Sequence, residues 1–303
     1  MSGYILGLFW NNGQENFDFT YCEKEGETSS TINTIKLDES FITNLKDKSL
    51  TVEINNVILD KVNIQFCQLN ISSILFNRCK INSIENLKDI SNLKKITIID
   101  SDIKCIDMLA ETQLEYLSVI SSQNVLLSDI VKIKNLRELY YKSNIKTDND
   151  LISLEGLSNL TILNLSDNNI TSIENIGHIK DLISVDLSIN KLELINGLKN
   201  NTKLKYVYLQ KNNIKDITPI KLNKNIKYLM APHNKISEIN FIETFNDIEL
   251  LNLKDNPIKV VPNLLNLKNL NITDLCIDWK NVDELKGMKG YQILKNIMLS
   301  LSS

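Results

Sequence analysis

The sequence predicts an α/β solenoid: a horseshoe with a parallel β-sheet on its concave wall and mainly 3-10 or extended backbone on its convex side. Three observations support this fold class. Apolar residues recur with a fixed period of 22 residues, each period contains the pattern LxxLxLxxNxL, and the two ends of the chain depart from that pattern. Because each repeat of a solenoid packs only on its neighbours, a chain of 303 residues needs no central core.

The repeat is most regular in the C-terminal half of the chain. Its leading apolar residues there stand 22 positions apart, at Leu160, Leu182, Leu204, Ile226, Ile248 and Leu270. Five earlier units begin near Leu136, Leu114, Leu93, Ile71 and Ser49, and a weaker one begins near Ile32. About twelve turns result, with irregular joints around residues 43–48 and 146–152.

Each turn is predicted to begin with a short strand, because LxLxx alternates apolar and polar positions and so buries one face. The asparagine at the ninth position follows that strand, and its amide can pair backbone groups of its own and adjacent turns. With only 9 Gly and 4 Pro, we expect few turns to use positive φ angles and this asparagine ladder to hold the turns instead. The ladder positions are Asn144, Asn168, Asn190, Asn212, Asn234 and Asn256, with Ser101 or Cys79 as substitutes in earlier units.

The two chain ends are predicted to cap the solenoid, because an exposed terminal turn would leave an apolar face and an open sheet edge. Residues 1–31 contain two apolar segments flanking Asn12-Gly13, which favours a β-hairpin cap. The repeats then occupy residues 32–280. Residues 281–303 place apolar side chains at helical spacing, which favours a C-terminal helical cap.

Composition excludes several classes of function. A formal net charge of −3 without a basic cluster argues against nucleic-acid binding. The five cysteines are scattered without a CxxC pair, so neither a disulfide framework nor a zinc site is expected. No apolar run reaches the roughly 18 residues that span a bilayer, and the N-terminus lacks the features of a signal peptide. We therefore expect a cytoplasmic monomer that does not bind membranes.

One patch on the predicted concave face stands out as a candidate site for a protein partner. Exposed strand positions there are mostly small or polar, whereas large side chains cluster on neighbouring turns, with lysines around them. Tyrosine combines a large apolar area with a polar tip, as interface centres favour. Alternatively, the aromatic rings only pack across adjacent strands and stiffen the sheet. The patch comprises Tyr206, Tyr208, Tyr228, Met230, Leu250 and Ile272, and a second, smaller cluster comprises Tyr116, Tyr140 and Ile162.

Catalytic candidates are few. His178 is expected at the surface of a back-wall segment, and His233 follows a strand near Asp255 without a nucleophile, phosphate loop or metal-ligand spacing beside it. Cys79 and Cys105 fall at or near buried repeat positions, so we expect both to be core residues. The sequence therefore predicts a protein that is not an enzyme and needs no cofactor or metal.

The unit LxxLxLxxNxIxxIxxLxxL resembles the short, 22-residue class of leucine-rich repeats, over about residues 32–280. That class includes the regulatory subunits of protein phosphatase-1 and the bacterial internalins. The resemblance implies a leucine-rich repeat horseshoe that binds a protein partner, such as a phosphatase or another enzyme, on its concave face. The expected function is a scaffold or regulatory subunit. The alternative is a bacterial inhibitor, immunity or host-directed effector protein that blocks a target enzyme.

Overall fold

The computed structural model describes two compact units of the chain. Unit 1 comprises Met1–Ser143, and unit 2 comprises Asn144–Ser303. The described residues are 4–10, 16–21, 50–56, 58–61, 70–143, 145, 154–239, 241–245, 247–259 and 274–276.

Unit 1 is built mainly from strands. In chain order they are β1 (Tyr4–Trp10), β2 (Asn16–Tyr21), β3 (Leu50–Asn55), β4 (Ile58–Lys61), β5 (Ile71–Asn77), β6 (Lys80–Ser83), β7 (Lys95–Ile99), β8 (Asp102–Ile103), β9 (Tyr116–Ile120) and β10 (Glu138–Lys142). The larger sheet has the order β2-β1-β3-β5-β7-β9-β10. Its strands from β3 onwards are parallel, as the repeat predicts. β4, β6 and β8 form a second parallel sheet.

The N-terminal strands pair differently. β1 is antiparallel to both β2 and β3, so β1 occupies the sheet position next to the first repeat strand. The predicted hairpin turn and the weak unit near Ile32 lie outside the described residues. The cap boundaries at 1–31 therefore stay a prediction.

Unit 2 contains six parallel strands in its described part. They are β11 (Ile162–Asn164), β12 (Ser184–Asp186), β13 (Tyr206–Tyr208), β14 (Tyr228–Met230), β15 (Leu250–Asn252) and β16 (Asp274–Cys276). From β11 to β15, each residue pairs with the one 22 positions later, as in Tyr206 with Tyr228. The last pair departs from that period, because Leu250 pairs with Asp274. Placing Ile272 beside Leu250 was therefore wrong by two residues.

The asparagine ladder predicted for unit 2 is present. Asn212 is representative: its Nδ2 donates to the carbonyl oxygens of Leu187 at 2.9 Å and Leu209 at 3.0 Å. Its Oδ1 accepts the backbone N–H of Leu192 at 3.0 Å. One amide thus pairs buried backbone groups in two successive repeats. The buried ladder residues are Asn168, Asn190, Asn212, Asn234 and Asn256.

Unit 1 uses hydroxyl groups at the same position. The Ser101 hydroxyl accepts the backbone N–H of Cys79 at 3.0 Å and donates to the carbonyl of Ile99 at 2.7 Å. The hydroxyls of Ser122 and Ser143 accept the next two backbone N–H groups along the sheet, those of Ser101 and Ser122. A serine reaches fewer backbone groups than an asparagine does, but it still pairs the buried amide of the preceding repeat.

The expectation that few turns use positive φ angles was wrong. The residue before most of the described ladder positions has a left-handed backbone although it is not glycine; Ile189, for example, has φ 55°. That conformation costs about 1–2 kcal/mol for a residue with a Cβ. The hydrogen bonds of the ladder hold the turn in place and offset this cost. These residues are Arg78, Asp100, Ser121, Asp167, Ile189, Lys211, His233 and Asp255; Asn56 and Asn124 have left-handed backbones as well.

The segments that return the chain to the next strand contain short 3-10 turns, as predicted. Only Leu127–Ile130 forms an α-helical turn in the described part of the chain. Two stacked turns come so close that a Cβ on Gly197 would lie 1.8 Å from the carbonyl oxygen of Ile173, so this position requires glycine. The 3-10 turns are Glu85–Asp89, Asp107–Glu111, Glu174–His178, Asn196–Asn200, Thr218–Leu222 and Ile242–Thr244.

A second pair of asparagines, which the sequence reading missed, follows two of these turns. Asn201 and Asn223 are fully buried at positions where other repeats carry an apolar residue such as Ile179. Asn223 Nδ2 donates to the carbonyl oxygens of Leu198 at 3.2 Å and Asn201 at 3.0 Å. The back wall therefore has its own short ladder.

Cys79 and Cys105 differ in their surroundings. Cys79 is buried, as expected. Cys105 is exposed, so its assignment to the core was wrong. The buried side chains on either side of it, Ile103 and Ile106, fill the core instead. The ladder position Asn144, the joint at 146–152 and the predicted C-terminal helix at 281–303 lie outside the described residues.

Candidate protein interface

Five of the predicted site residues lie together on one exposed sheet face in unit 2, which we call the unit 2 patch. In β13, β14 and β15 the central residue is buried and the two outer residues are half-buried. This alternation follows from the two-residue period of a strand. The patch comprises Tyr206, Tyr208, Tyr228, Met230 and Leu250. The sixth predicted residue, Ile272, lies outside the described residues, and the register places Asp274 beside Leu250.

The centre of the unit 2 patch is an aromatic pair. The rings of Tyr206 and Tyr228 lie edge to face, with centroids 5.2 Å apart. Such geometry is favourable, because the positive edge of one ring faces the negative face of the other. Both tyrosines are half-buried, so each keeps part of its surface open to solvent.

Tyr208 lies beside this pair and next to a carboxylate. Burial raises the pKa of the Tyr208 hydroxyl, and the Asp186 carboxylate and the two other tyrosines raise it further. Asp186 itself already accepts hydrogen bonds from the backbone N–H and hydroxyl of Ser188 and from Nδ2 of Asn164. The phenol therefore stays protonated at neutral pH and remains a hydrogen-bond donor.

Charged side chains border the patch on both sides. Lys227 Nζ lies 2.7 Å from Glu249 Oε1, and this hydrogen bond with Glu249 raises the pKa of Lys227. Lys205, directly before β13, and Lys211, three residues after it, are both exposed. The patch is thus an aromatic and apolar surface between ammonium groups, an arrangement that suits an amphipathic ligand.

The two tyrosines predicted in unit 1 also meet. Tyr116 and Tyr140 have ring centroids 5.3 Å apart, and Lys95 Nζ lies 4.2 Å from the Tyr116 centroid, a cation–π contact. Burial raises the pKa of both tyrosines, and the Glu138 carboxylate adds to the rise. Lys95 and Glu138 were missed in the sequence reading. The repeat could have predicted both, because Lys95 and Glu138 pair with Tyr116 from the preceding and the following strand.

The two histidines considered as catalytic candidates each lie beside one surface carboxylate. His178 Nε2 lies 3.3 Å from a Glu155 oxygen, and His233 Nδ1 lies 3.2 Å from an Asp255 oxygen, with the side chains of both pairs well exposed. Within the described residues, no three His, Cys, Asp or Glu side chains cluster as metal ligands would. In that same part of the chain, no helix has the length and apolar character needed to cross a membrane.

Comparisons with known proteins give matches for the fold only. Neither a protein-family model nor a curated protein sequence matches the chain. A solved internalin of Listeria monocytogenes is 18% identical with a TM-score of 0.57, over 84% of this chain and 87% of that one. A leucine-rich repeat protein of Leptospira interrogans is 19% identical with a TM-score of 0.55, over 75% and 68% of the two chains.

A receptor shares the fold as well. The Arabidopsis receptor kinase HAESA, solved with the peptide hormone IDA and the co-receptor SERK1, is 19% identical with a TM-score of 0.55. The alignment covers 74% of this chain and 40% of that one. Together with the 22-residue register and the asparagine ladder, these likenesses show that the chain has the leucine-rich repeat fold.

Proposed function

We propose that the protein is a non-catalytic interaction module, a scaffold or regulatory subunit, that binds a protein partner through the unit 2 patch. The observation that carries this proposal is the edge-to-face pair of Tyr206 and Tyr228 on an exposed sheet face. Half-buried aromatic rings that already hold a fixed geometry lose little conformational entropy when a partner covers them.

The chemistry of the neighbouring residues supports the same proposal. Met230 and Leu250 extend the apolar area, and polar or charged side chains border it, as in the core and rim of protein interfaces. HAESA, which shares the fold, is solved with a peptide hormone and a co-receptor. The cytoplasmic location, the monomeric state and the absence of catalysis stay predictions.

The test begins with a tagged full-length chain, which captures its partner from a lysate of the native organism. The captured protein is then purified and titrated calorimetrically against each variant. Tyr206→Ala combined with Tyr228→Ala should weaken binding by about 2–4 kcal/mol, the usual range for aromatic anchors. Circular dichroism should show that this double variant is folded, because both side chains lie on the exposed face.

A matched control carries two substitutions on the 3-10 turns of the same unit, Glu174→Ala and Lys199→Ala. Both side chains are exposed, so affinity should stay within about 0.5 kcal/mol of the wild type. If the tyrosine variant and the control bind the partner equally well, the unit 2 patch is not the docking site.

A further inference from the structure

Two lysines that flank β13 have no acidic partner among the described residues. Lys205 directly precedes Tyr206 and Lys211 lies three residues after Tyr208 in the segment Lys-Tyr-Val-Tyr-Leu-Gln-Lys, and both lysines are exposed. The equivalent positions in the next repeat, 22 residues on, are Lys227 and His233. A carboxylate that could pair with either β13 lysine would therefore have to come from elsewhere.

The acidic side chains nearby are already engaged. Glu249 pairs with Lys227 at 2.7 Å, and Asp255 pairs with His233 at 3.2 Å. Among the described residues, neither Lys205 nor Lys211 forms a salt bridge. One ammonium group without an acidic partner therefore lies before the strand that carries two of the patch tyrosines, and another lies in the turn that follows it.

The tyrosine hydroxyls add neutral donors between these two charges. In the described part of the chain, the hydroxyls of Tyr206, Tyr208 and Tyr228 make no hydrogen bond to another residue. Asp186, whose carboxylate acts on Tyr208, already accepts bonds from Ser188 and Asn164. Phenol and ammonium donors bind carboxylate oxygens through charge-assisted hydrogen bonds, which are stronger than bonds to neutral acceptors.

We infer that the unit 2 patch recognises an acidic segment of its protein partner, with carboxylates reaching Lys205, Lys211 and the tyrosine hydroxyls. An apolar side chain between those carboxylates covers Met230 and Leu250. This inference rests on the proposed function and names the chemistry of the partner. A nucleic acid fits less well, because a phosphate backbone needs an extended row of basic groups, whereas the two lysines stand on a chain with a net charge of −3.

The test uses two synthetic peptides with the full-length chain. One fluorescein-labelled 12-residue peptide has glutamates on both sides of leucine, and its counterpart has glutamine in place of every glutamate. Fluorescence anisotropy should show that the glutamate peptide binds at least about tenfold more tightly, because each lost charged hydrogen bond costs about this factor. The preference should weaken as salt is added.

Two variants test whether the preference for the glutamate peptide depends on the lysine ammonium groups and on the tyrosine hydroxyls. Lys205→Gln combined with Lys211→Gln should reduce the preference for the glutamate peptide at least about fivefold, by removing both ammonium groups. Replacing Tyr206, Tyr208 and Tyr228 by Phe removes only the hydroxyls and should reduce it too, while binding of the glutamine peptide persists. The matched control, Lys199→Gln with Lys221→Gln on the 3-10 turns, should keep the full preference.

Several results would overturn the inference: equal binding of the two peptides, no binding of either at about 1 mM, or tighter binding of a labelled oligouridylate than of the glutamate peptide. Its failure is separable from that of the proposed function. If the Tyr206→Ala and Tyr228→Ala variant loses the captured partner while the two peptides bind alike, only the acidic specificity is refuted.

Discussion

The asparagine ladder allows a prediction whose magnitude follows from individual hydrogen bonds. In Asn212→Ala, the Leu187 carbonyl keeps its bond from Asn190 Nδ2 at 3.0 Å, and the Leu209 carbonyl keeps its bond from Asn234 Nδ2 at 2.9 Å. The group left without a partner is the backbone N–H of Leu192. An unpaired buried N–H costs about 1–3 kcal/mol, so the free energy of unfolding should fall by that amount.

Urea denaturation followed by circular dichroism measures this loss, with an unchanged m-value as the check that the unfolding reaction is the same. The matched control is Asn225→Ala, because Asn225 Nδ2 also bonds a carbonyl of the preceding repeat, at 3.2 Å, but on the exposed surface. It should cost less than about 0.5 kcal/mol. A midpoint for Asn212→Ala equal to that of the wild type would refute a structural role for the ladder.

A second substitution at the same position distinguishes the role of the accepting Oδ1 of Asn212 from that of its donating Nδ2. Asn212→Asp keeps an oxygen for the Leu192 N–H but turns another oxygen towards the Leu187 and Leu209 carbonyls. Burial and these dipoles should raise the pKa of the new carboxyl above its unfolded value of about 3.9. Stability relative to the wild type should therefore fall as the pH rises from 5 to 7.5. A pH-independent difference would contradict this explanation.

Three further predictions concern other parts of the chain. Gly197→Ala should lower the free energy of unfolding, measured by urea denaturation, by about 3 kcal/mol or more, because the added Cβ would lie 1.8 Å from the Ile173 oxygen. Ser101→Ala should unpair the Cys79 N–H and speed the hydrogen exchange of that amide at least about tenfold. The raised pKa of Tyr208 means that the folded state keeps its phenolic proton longer than the unfolded state, so stability is lost as the pH rises through the unfolded value of about 10. Urea midpoints at pH 8 and 10.5 should show a smaller alkaline loss for Tyr208→Phe than for the wild type.

The sequence was sufficient to predict the fold and the composition of the patch, because both depend on a strict period. Equivalent positions are 22 residues apart, so adding 22 to a residue number gives its neighbour on the next strand. Tyr228 lies beside Tyr206, as this rule predicts. The same addition failed at Ile272, because the register from β15 to β16 lengthens by two residues. The sequence does not reveal two extra residues when the apolar residues around them fit a spacing of 22 as well as one of 24.

Other features depend on three-dimensional contacts that a period does not reveal. The left-handed residues before the ladder include Ile189, which has an intrinsic preference against that conformation, so only the surrounding hydrogen bonds explain it. Asn201 and Asn223 interrupt an apolar column, and the sequence alone does not distinguish a buried, bonded asparagine from an exposed one. The pairing of Lys95 with Tyr116 required the orientation of both side chains.

The ladder also has a direction, with a consequence for the synthesis of the protein. Each asparagine reaches backwards: Asn212 pairs the N–H of Leu192, and Asn234 pairs the N–H of Ile214, in both cases 20 residues earlier in the chain. A turn that has just left the ribosome therefore keeps an unpaired amide until the following repeat has been translated. The hydrogen bonds of unit 2 therefore form one repeat at a time as the chain is synthesised. If the ribosome stalls within unit 2, the last repeat to emerge lacks the asparagine that pairs its buried N–H.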